Sequence, residues 1–520
     1  MASKADGKAS ITAQIEFRSP QFQVESIWGL NARQQQQPAN ARDFEMAEDS
    51  EEEHDEPRVQ MNHPDTVWKK HEFHCLGWVE TDDDGDEVGR RECWQRVQQG
   101  ESGFCEVLNT TSGEIFRVMH TTRLSLKEDV RFTCQLAREF TNFRHLTASY
   151  RHDPPMATDE ADEFTNGIVM AVYKAVLPSA YASIRLLRVK GCELPIELWF
   201  RHNELSSEDP VLQTLLDDFG PVYLRQIYDE RVAGFYVKAH ALYYSRFTNV
   251  LMMDADNFAI RDPSSLFSAP PFKKHGAVFW PDFWHPSNTI FNLHAQSLLW
   301  ELLDVDFVDM FEQESGQVLV NRRSSRPMLE MLMFFATHKP NLMSKLQLVW
   351  GDKDLFRLSW LVAKQAFFFN DRRMPGSLGI VNDERERFCG MSMVQYDIGG
   401  NEILFLHRNT IKLTGRFDTK IWHALQEYPV QREYLPEALP IIHSFNGEKL
   451  FNEASCFGVK RYEFVPAVQM RQVASIQSVA SVEAMIITFA AHAYSLLYSE
   501  TTFTHSRGVI PLPADGQPLS

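Results

Sequence analysis

The chain has little that would hold a structural metal ion or a redox pair. Its seven cysteines are scattered without the CxxC spacing of zinc sites and dithiol motifs, so neither class is indicated. Four of them lie close together early in the chain, which fits either disulfides in a secretory compartment or buried thiols: Cys75, Cys93, Cys105 and Cys134. One glycosylation acceptor triplet, Asn109-Thr110-Thr111, is a weak indication of the same compartment.

The sequence also lacks a long apolar run. No signal peptide or membrane anchor is visible in the polar, Gln-rich residues 1–50. The other candidate, residues 473–498, contains Glu483 and His492, and its continuous apolar section is too short to span a bilayer. We therefore predict a surface or partly buried helix there.

Positive charge is scarce as well. There are 52 basic and 70 acidic residues, giving a formal net charge of -18, and much of the excess lies in two acidic runs at 43–56 and 82–87. This balance argues against a nucleic-acid partner. It does not exclude an anionic substrate, because such a substrate needs only a local basic pocket.

Composition divides the chain into four parts. Residues 1–64 predict a disordered acidic tail, and the aromatic-rich residues 65–152 predict a small stem-like subdomain. After a proline-containing linker near 153–163, residues 160–465 form the predicted main domain. Residues 466–520 are expected to form a C-terminal helix and tail.

The main domain alternates apolar, strand-like runs with helical patterns. Because strand, helix and strand follow one another at βαβ length, we predict an α/β fold whose mixed, mostly parallel sheet is flanked by helices. Ser206 or Ser207 is expected to cap the second helix. The predicted strands are 167–173, 194–200, 222–226, 250–253, 276–280, 316–320 and 403–407, and the predicted helices are 179–189, 211–219, 236–244, 327–338 and 353–366.

The pair Asp254 and Asp256 comes directly after the buried strand 250–253. Carboxylates are costly to bury without a partner, and ligands bind at the carboxyl edge of an open α/β sheet. A divalent cation shared with a diphosphate would supply that partner. A strand end followed by an Asx turn is the alternative interpretation.

Other polar residues lie at similar places. Lys238, on the helix before this strand, could reach a phosphate or could be a solvated lysine. His407 ends an apolar strand and Lys412 follows five positions later, although a lone histidine is often a core residue. Gly316 would let a ligand approach the backbone closely, or would simply form a turn. Asp352 begins a predicted helix, where capping alone explains an acid.

Taken in order, these blocks resemble the fungal-type α-mannosyltransferases, which are metal-dependent transferases of the GT-A type. The resemblance runs from about residue 167 to 412 through Leu194-Pro195-Ile196-Glu197, Asn249 to Asn257, Val278-Phe279-Trp280-Pro281-Asp282, Glu314-Ser315-Gly316-Gln317 and Gly351-Asp352-Lys353-Asp354, closed by His407 and Lys412. It implies a GT-A-like, Rossmann-related fold. It also implies retaining transfer of α-linked mannose from GDP-mannose to an oligosaccharide or glycoprotein.

The resemblance also implies roles for individual residues. Mn²⁺ or another divalent cation would be held by Asp254, Asp256 and His407. The predicted nucleotide-sugar contacts are Lys238, Gly167, Glu197 and Lys412. The predicted acceptor or sugar contacts are Trp280, Asp282, Gly316 and Gln317, with Trp284 beside the first two. Asp352 is the candidate catalytic group, with Asp354 as its substitute.

Two alternatives stay open from the sequence. One is a glycogenin-like transferase that uses a UDP-sugar, and the other is an inactive carbohydrate-binding protein on the same fold. Members of the family are usually anchored in the Golgi membrane by an N-terminal helix, and none is visible here. We therefore expect a secretory-pathway protein on the basis of the resemblance alone.

Overall fold

The structure is a computed structural model that describes residues 66–156, 164–286, 289, 291–382, 387–428, 456–457 and 468–503. The predicted acidic tail, part of the predicted linker and the boundary predicted near 465 lie outside these residues. Within them, no helix is both long and apolar enough to cross a membrane.

The N-terminal part contains a four-stranded and a two-stranded antiparallel sheet and one helix. Strands β1 to β6 and helix α1 are Phe73–Thr81, Glu87–Arg91, Val97–Gln98, Gly103–Asn109, Ile115–Thr121, Arg131–Phe132 and Ala137–Ser149. Disulfides join Cys75 to Cys93 and Cys105 to Cys134, so the early cysteines are paired rather than free. The helix packs into the main domain, where the Phe143 ring contacts the Phe334 ring at 5.1 Å between centroids.

The main domain begins with two successive βαβ units and a fourth strand. Its elements are β7 (Phe164–Ala171), α2 (Leu177–Val189), β8 (Ile196–Arg201), α3 (Pro210–Asp218), β9 (Val222–Ile227), α4 (Val237–Tyr244) and β10 (Phe247–Met253). The cap predicted at Ser206 or Ser207 is wrong, because the Asp209 side chain accepts from Val211 N instead and α3 begins at Pro210.

The later strands of this sheet lie on the side of β10 opposite β7. The short strand β11 (Asn257–Ala259) follows β10 but belongs to a different sheet. The remaining elements of this part of the chain are α5 (Pro270–His275), β12 (Ala277–Pro281), α6 (Leu298–Leu303), β13 (Gln313–Asn321), α7 (Arg326–Thr337), α8 (Leu342–Lys345), α9 (Leu355–Val362) and β14 (Phe368–Phe369). The seven-stranded sheet has the order β14-β12-β13-β10-β7-β8-β9, with only the β13 pairings antiparallel among its described strands. The predicted α/β fold with a mostly parallel sheet and a small N-terminal subdomain is confirmed.

A six-stranded sheet places the end of one of its strands against the main sheet. It contains β15 (Gly376–Asn382), β16 (Arg387–Tyr396), β17 (Ile403–His407), β18 (Ala424–Glu427) and β19 (Gln469–Gln472), together with β11. Helix α10 (Val482–Phe503) follows, and its Glu483 carboxylate accepts from Arg408 Nη1 at 2.8 Å. Because β11 pairs with β17, Asn257 lies opposite His407.

Candidate active site

The two acids of the sequence motif are held at the end of β10 by backbone bonds to β13. Asp254 N donates to Gly316 O at 2.9 Å, and the Asn257 side-chain amide donates to the same carbonyl at 2.8 Å. Asn257 also donates to Gln317 Oε1 at 2.7 Å. The turn 254–257 is therefore fixed on both sides, which aims the two carboxylates at one point.

His407 completes a compact group of possible metal ligands. Its Nε2 lies 3.3 Å from Asp256 Oδ1 and 3.8 Å from Asp254 Oδ2, while its Nδ1 lies 3.2 Å from Glu314 Oε1. One ligand atom from each of the two aspartates and the histidine lies within 4.8 Å of the others. The structure thus brings together the three predicted ligands, and their binding of a metal stays a prediction.

The donor set fits a divalent cation. Carboxylate oxygens and an imidazole suit ions such as Mn²⁺, and Glu314 is placed to orient the imidazole from its other nitrogen, as carboxylates commonly do behind metal-binding histidines. Gly316 leaves room for this arrangement, because a Cβ there would lie 2.5 Å from His407 Nδ1 and 2.7 Å from Glu314 Oε1. The close approach predicted for Gly316 is thus made by a protein side chain.

We expect Gly316→Ala to weaken Mn²⁺ binding by roughly 10- to 100-fold, because the added methyl group must displace His407 or its Glu314 partner. Isothermal titration with Mn²⁺ measures the change. Gly89→Ala is a suitable control, since a Cβ at that strand position meets nothing nearer than the Glu80 side chain at 3.4 Å. Equal Mn²⁺ affinity in Gly316→Ala and the parent protein would show that His407 is not part of the site.

Two lysines balance the acids. Lys238 Nζ lies 2.7 Å from Asp254 Oδ1 and 2.9 Å from Asp352 Oδ2, and Lys412 Nζ bonds to Asp256 Oδ2. Burial raises the pKa of Asp254. Burial acts in the same direction on Asp256, but His407 and Lys412 outweigh it and lower the pKa of that carboxyl. Both predicted phosphate-contacting lysines therefore lie at the cluster.

Asp352 is not the helix cap that the sequence allowed. Helix α9 begins at Leu355, its N-cap position is Asp354, and Asp354 makes no side-chain capping bond. The buried Asp352 carboxylate contacts Lys238 instead, so one lysine connects it to Asp254. The capping explanation for Asp352 is therefore removed.

Asp354, the substitute candidate, has structural contacts. Its carboxylate accepts from Gln313 N at 2.8 Å and from Arg357 Nε at 2.5 Å, and the residue is fully buried. Its φ of 66° lies in the left-handed region that non-glycine residues rarely adopt. These contacts hold the 351–354 turn against the start of β13.

A second buried charge cluster adjoins this turn. Lys353 Nζ lies 3.1 Å from Asp282 Oδ2 and bonds to Glu312 Oε2. Burial raises the pKa of Asp282 to about 7, against the opposing effect of Lys353. Asp282 is therefore beside the candidate site, but its carboxylate is paired with Lys353, and its acceptor contact stays a prediction.

Several predicted contacts are corrected by the structure. Trp280 and Trp284 are buried in apolar clusters, and Trp280 Nε1 donates to Tyr396 O, so neither ring can stack on a sugar. The Gln317 side chain is fully buried and bonds to Asn257, so it supports the acid turn rather than contacting a ligand. The sequence shows that these residues are on or near strands. It does not show whether their side chains face the core or the ligand cleft.

Gly167 and Glu197 are not brought into the cluster. Gly167 pairs with Val250, four residues before Asp254, and a Cβ there would lie 2.3 Å from the Phe247 ring. The buried Glu197 carboxylate accepts from Trp199 Nε1, Arg225 Nε and Arg246 N. Both residues have packing or hydrogen-bonding roles inside the sheet.

The sequence reasoning missed Glu314 and Glu312 as members of the site. The sequence signal for them was the presence of two acids, in Glu312-Gln313-Glu314, shortly before the apolar strand segment 318–320. Acids on a buried strand require partners, and these acids find them in His407 and Lys353.

Comparison with known proteins finds similar sequences over the middle of the chain. Residues 165–397 match the family model described as "Mannosyltransferase putative". The alpha-1,2-mannosyltransferase MNN24 of Candida albicans is 27% identical over 276 residues, which cover 46% of this chain and 38% of that protein. The alpha-1,2-mannosyltransferase MNN2 of Saccharomyces cerevisiae is 26% identical over 264 residues, covering 42% and 43% respectively. The chain thus spans about two-fifths of the length of these relatives.

Among solved structures, one similar chain is the mannosyltransferase Ktr4p of Saccharomyces cerevisiae in complex with GDP. The two sequences are 9% identical, the match covers 44% of this chain and 75% of that chain, and the TM-score is 0.29. The family match and the curated relatives place residues 165–397 in the glycosyltransferase class. More particularly, residues 165–397 are similar to fungal mannosyltransferases, which agrees with the resemblance seen in the sequence.

Proposed function

We propose that the protein is a metal-dependent, retaining glycosyltransferase that moves mannose from GDP-mannose to a mannosylated oligosaccharide or glycoprotein. The observation that carries the proposal is the cluster of Asp254, Asp256 and His407 at the carboxyl edge of the sheet. The two aspartates lie within the segment that matches mannosyltransferases, and His407 follows its end. The curated relatives named alpha-1,2-mannosyltransferases support the choice of sugar.

In this proposal the three ligands hold Mn²⁺ or another divalent cation. The ion, when bound, neutralises the charge that develops on the diphosphate leaving group. Lys412 is the protein cation best placed to contact the phosphates, because its side chain is 46% exposed while its ammonium group reaches Asp256. The binding of metal and donor would free this lysine from Asp256 for a phosphate oxygen.

Asp352 is the proposed group that acts on the sugar. Its carboxylate shares Lys238 with Asp254, so it lies one side chain away from the proposed metal site. From there it could attack the anomeric carbon or stabilise the positive charge that develops on it, and either role accommodates retention. Lys238 would then hold the Asp352 carboxylate in position.

We also propose residence in the secretory pathway, with the Golgi as the expected compartment. Three disulfides are present among the described residues, the third joining Cys389 to Cys456. Disulfides persist in oxidising compartments and are rare in the cytosol. The curated fungal mannosyltransferases support the same assignment.

A donor screen with Mn²⁺ present tests the proposed function. GDP-mannose should be turned over with a mannoside acceptor, giving an α-linked product by NMR, and chelation should stop the reaction. Preference for a UDP-sugar would favour the glycogenin-like alternative. If the folded protein binds mannosides but turns over no nucleotide sugar, it is instead a carbohydrate-binding member of the fold.

The pH dependence of metal binding follows from His407. Burial disfavours its imidazolium form, but Asp256 and Glu314 outweigh burial and raise the pKa of His407 to about 10. Because a metal binds neutral imidazole, metal uptake below that pH displaces a proton from His407. We expect Mn²⁺ affinity to rise with pH, by up to about tenfold per unit between about pH 6 and 8.

Isothermal titration at several pH values measures this slope. His407→Ala should bind Mn²⁺ more weakly and with a shallower pH dependence, because the displaced proton is gone. An affinity that is independent of pH in the parent protein would contradict the assignment of His407 as a ligand.

A further inference from the structure

Two exposed aromatic side chains lie beside the candidate active site without a role in the fold core. Phe235 is 58% exposed and Trp350 is 49% exposed. Both neighbour Gly351, because Trp350 precedes it in the chain and a Cβ at Gly351 would lie 2.8 Å from the Phe235 ring. Trp350 precedes Asp352 by two residues and Phe235 precedes Lys238 by three, so both aromatic residues are close in the chain to the members of the Asp352–Lys238 ion pair.

The position of Trp350 relative to the sheet separates it from the expected nucleotide site. Nucleotides in open α/β sheets bind where the strand order reverses, which here is between β7 and β10. Asp254 and Asp256 follow β10, which pairs directly with β7. A donor held by the metal would therefore extend its nucleoside over β7 and β8.

Trp350 lies toward the opposite flank. The turn that follows it is attached to β12 and β13, through the contacts of Lys353 with Asp282 and of Asp354 with Gln313. Phe291 connects the same parts, because its ring lies 5.9 Å from the Trp350 ring and 4.1 Å from Lys353 Nζ. The aromatic surface and the Asp282–Lys353 pair therefore border one region next to Asp352.

We propose that Trp350 and Phe235 form the stacking surface of an acceptor subsite, which takes the pyranose ring of the acceptor glycan. This proposal rests on the proposed transferase function. The acceptor hydroxyl must come within about 3.5 Å of the anomeric carbon, so its ring must bind next to Asp352 on the side that the nucleoside leaves open. The apolar C–H face of a sugar packs on an aromatic ring, while its hydroxyls require polar partners.

The structure places such polar partners beside the rings. Asp282 and Lys353 are buried in the same region and contact each other. Either side chain could give up a hydrogen bond to the other and bond to a sugar hydroxyl instead. In this arrangement the predicted acceptor role of Asp282 is retained, but the aromatic surface moves from Trp280 to Trp350 and Phe235.

Steady-state kinetics with GDP-mannose and methyl α-D-mannopyranoside test the proposal. Trp350→Ala should raise the acceptor KM by about tenfold and leave the donor KM within twofold, because only acceptor stacking is lost. Trp350→Phe should recover most of the affinity. Trp94→Ala is the matched control, since Trp94 is 66% exposed on the N-terminal subdomain and should not change either constant.

An unchanged acceptor KM in Trp350→Ala overturns the proposal, and a raised donor KM with an unchanged acceptor KM would assign the surface to the nucleotide instead. If the parent protein transfers no sugar, the proposed function fails, and the subsite is then judged by direct binding. Saturation-transfer NMR with methyl α-D-mannopyranoside should show contact in the parent protein and Trp94→Ala but not in Trp350→Ala. Equal contact in all three proteins overturns the subsite as well.

Discussion

Asp256→Asn should abolish Mn²⁺-dependent transfer while leaving the fold intact. Asp256 is buried and contacts both His407 and Lys412, so it is the acid most completely enclosed by the proposed metal site. The amide keeps the shape of the side chain but removes the charge that holds the cation. Since a bound metal supplies several kcal/mol of transition-state stabilisation, we expect turnover to fall by roughly a thousandfold or more.

Isothermal titration with Mn²⁺ and the transfer assay measure the two parts of this effect. Asp83→Asn serves as the control, because Asp83 is an exposed acid that pairs only with Arg123 among its described contacts. Thermal unfolding checks that the variant is folded. Parental Mn²⁺ affinity and turnover in Asp256→Asn would exclude the cluster as the metal site.

Asp352→Asn should separate catalysis from binding. The change leaves Asp254, Asp256 and His407 in place, so metal and GDP affinity should stay within a few-fold of the parent protein. Turnover should fall by roughly 10²- to 10⁴-fold, because the amide can neither attack the anomeric carbon nor stabilise its positive charge. Rapid-quench measurement of a single turnover shows whether the chemical step itself is slowed.

Asp354→Asn gives the contrasting signature. Its carboxylate is fully buried and accepts from Gln313 N and Arg357, so this change should lower the melting temperature more than Asp352→Asn does. If Asp352→Asn turns over at the parental rate while folded Asp354→Asn does not, the two roles are reversed. Parental turnover in both variants would remove the proposed catalytic role from this turn.

The sequence predicted the parts of the molecule that depend on local pattern. The apolar run ending in Asp254 and the run ending in His407 are strands at or near the predicted bounds, because continuous apolar segments bounded by polar residues suit a covered sheet. The same reasoning placed acids and an imidazole at strand ends. It could not show that β11 pairs with β17, which is the contact that brings His407 opposite Asn257.

The predictions that failed depended on direction and long-range pairing. Trp280 and Trp350 are both tryptophans near polar residues in the sequence, but one is fully buried while the other is half exposed. Asp352 and Asp354 both precede a helix, yet the first contacts Lys238 and the second contacts Arg357. Only the folded arrangement distinguishes these members of each pair.

The central claim is that Asp254, Asp256 and His407 hold a divalent cation that binds the donor diphosphate. The most direct measurement is isothermal titration of GDP into the protein with Mn²⁺ present and again after chelation. The account predicts clear binding with Mn²⁺ and an affinity roughly a hundredfold weaker without it. Equal GDP affinity in the two conditions, or no GDP binding in either, would contradict it.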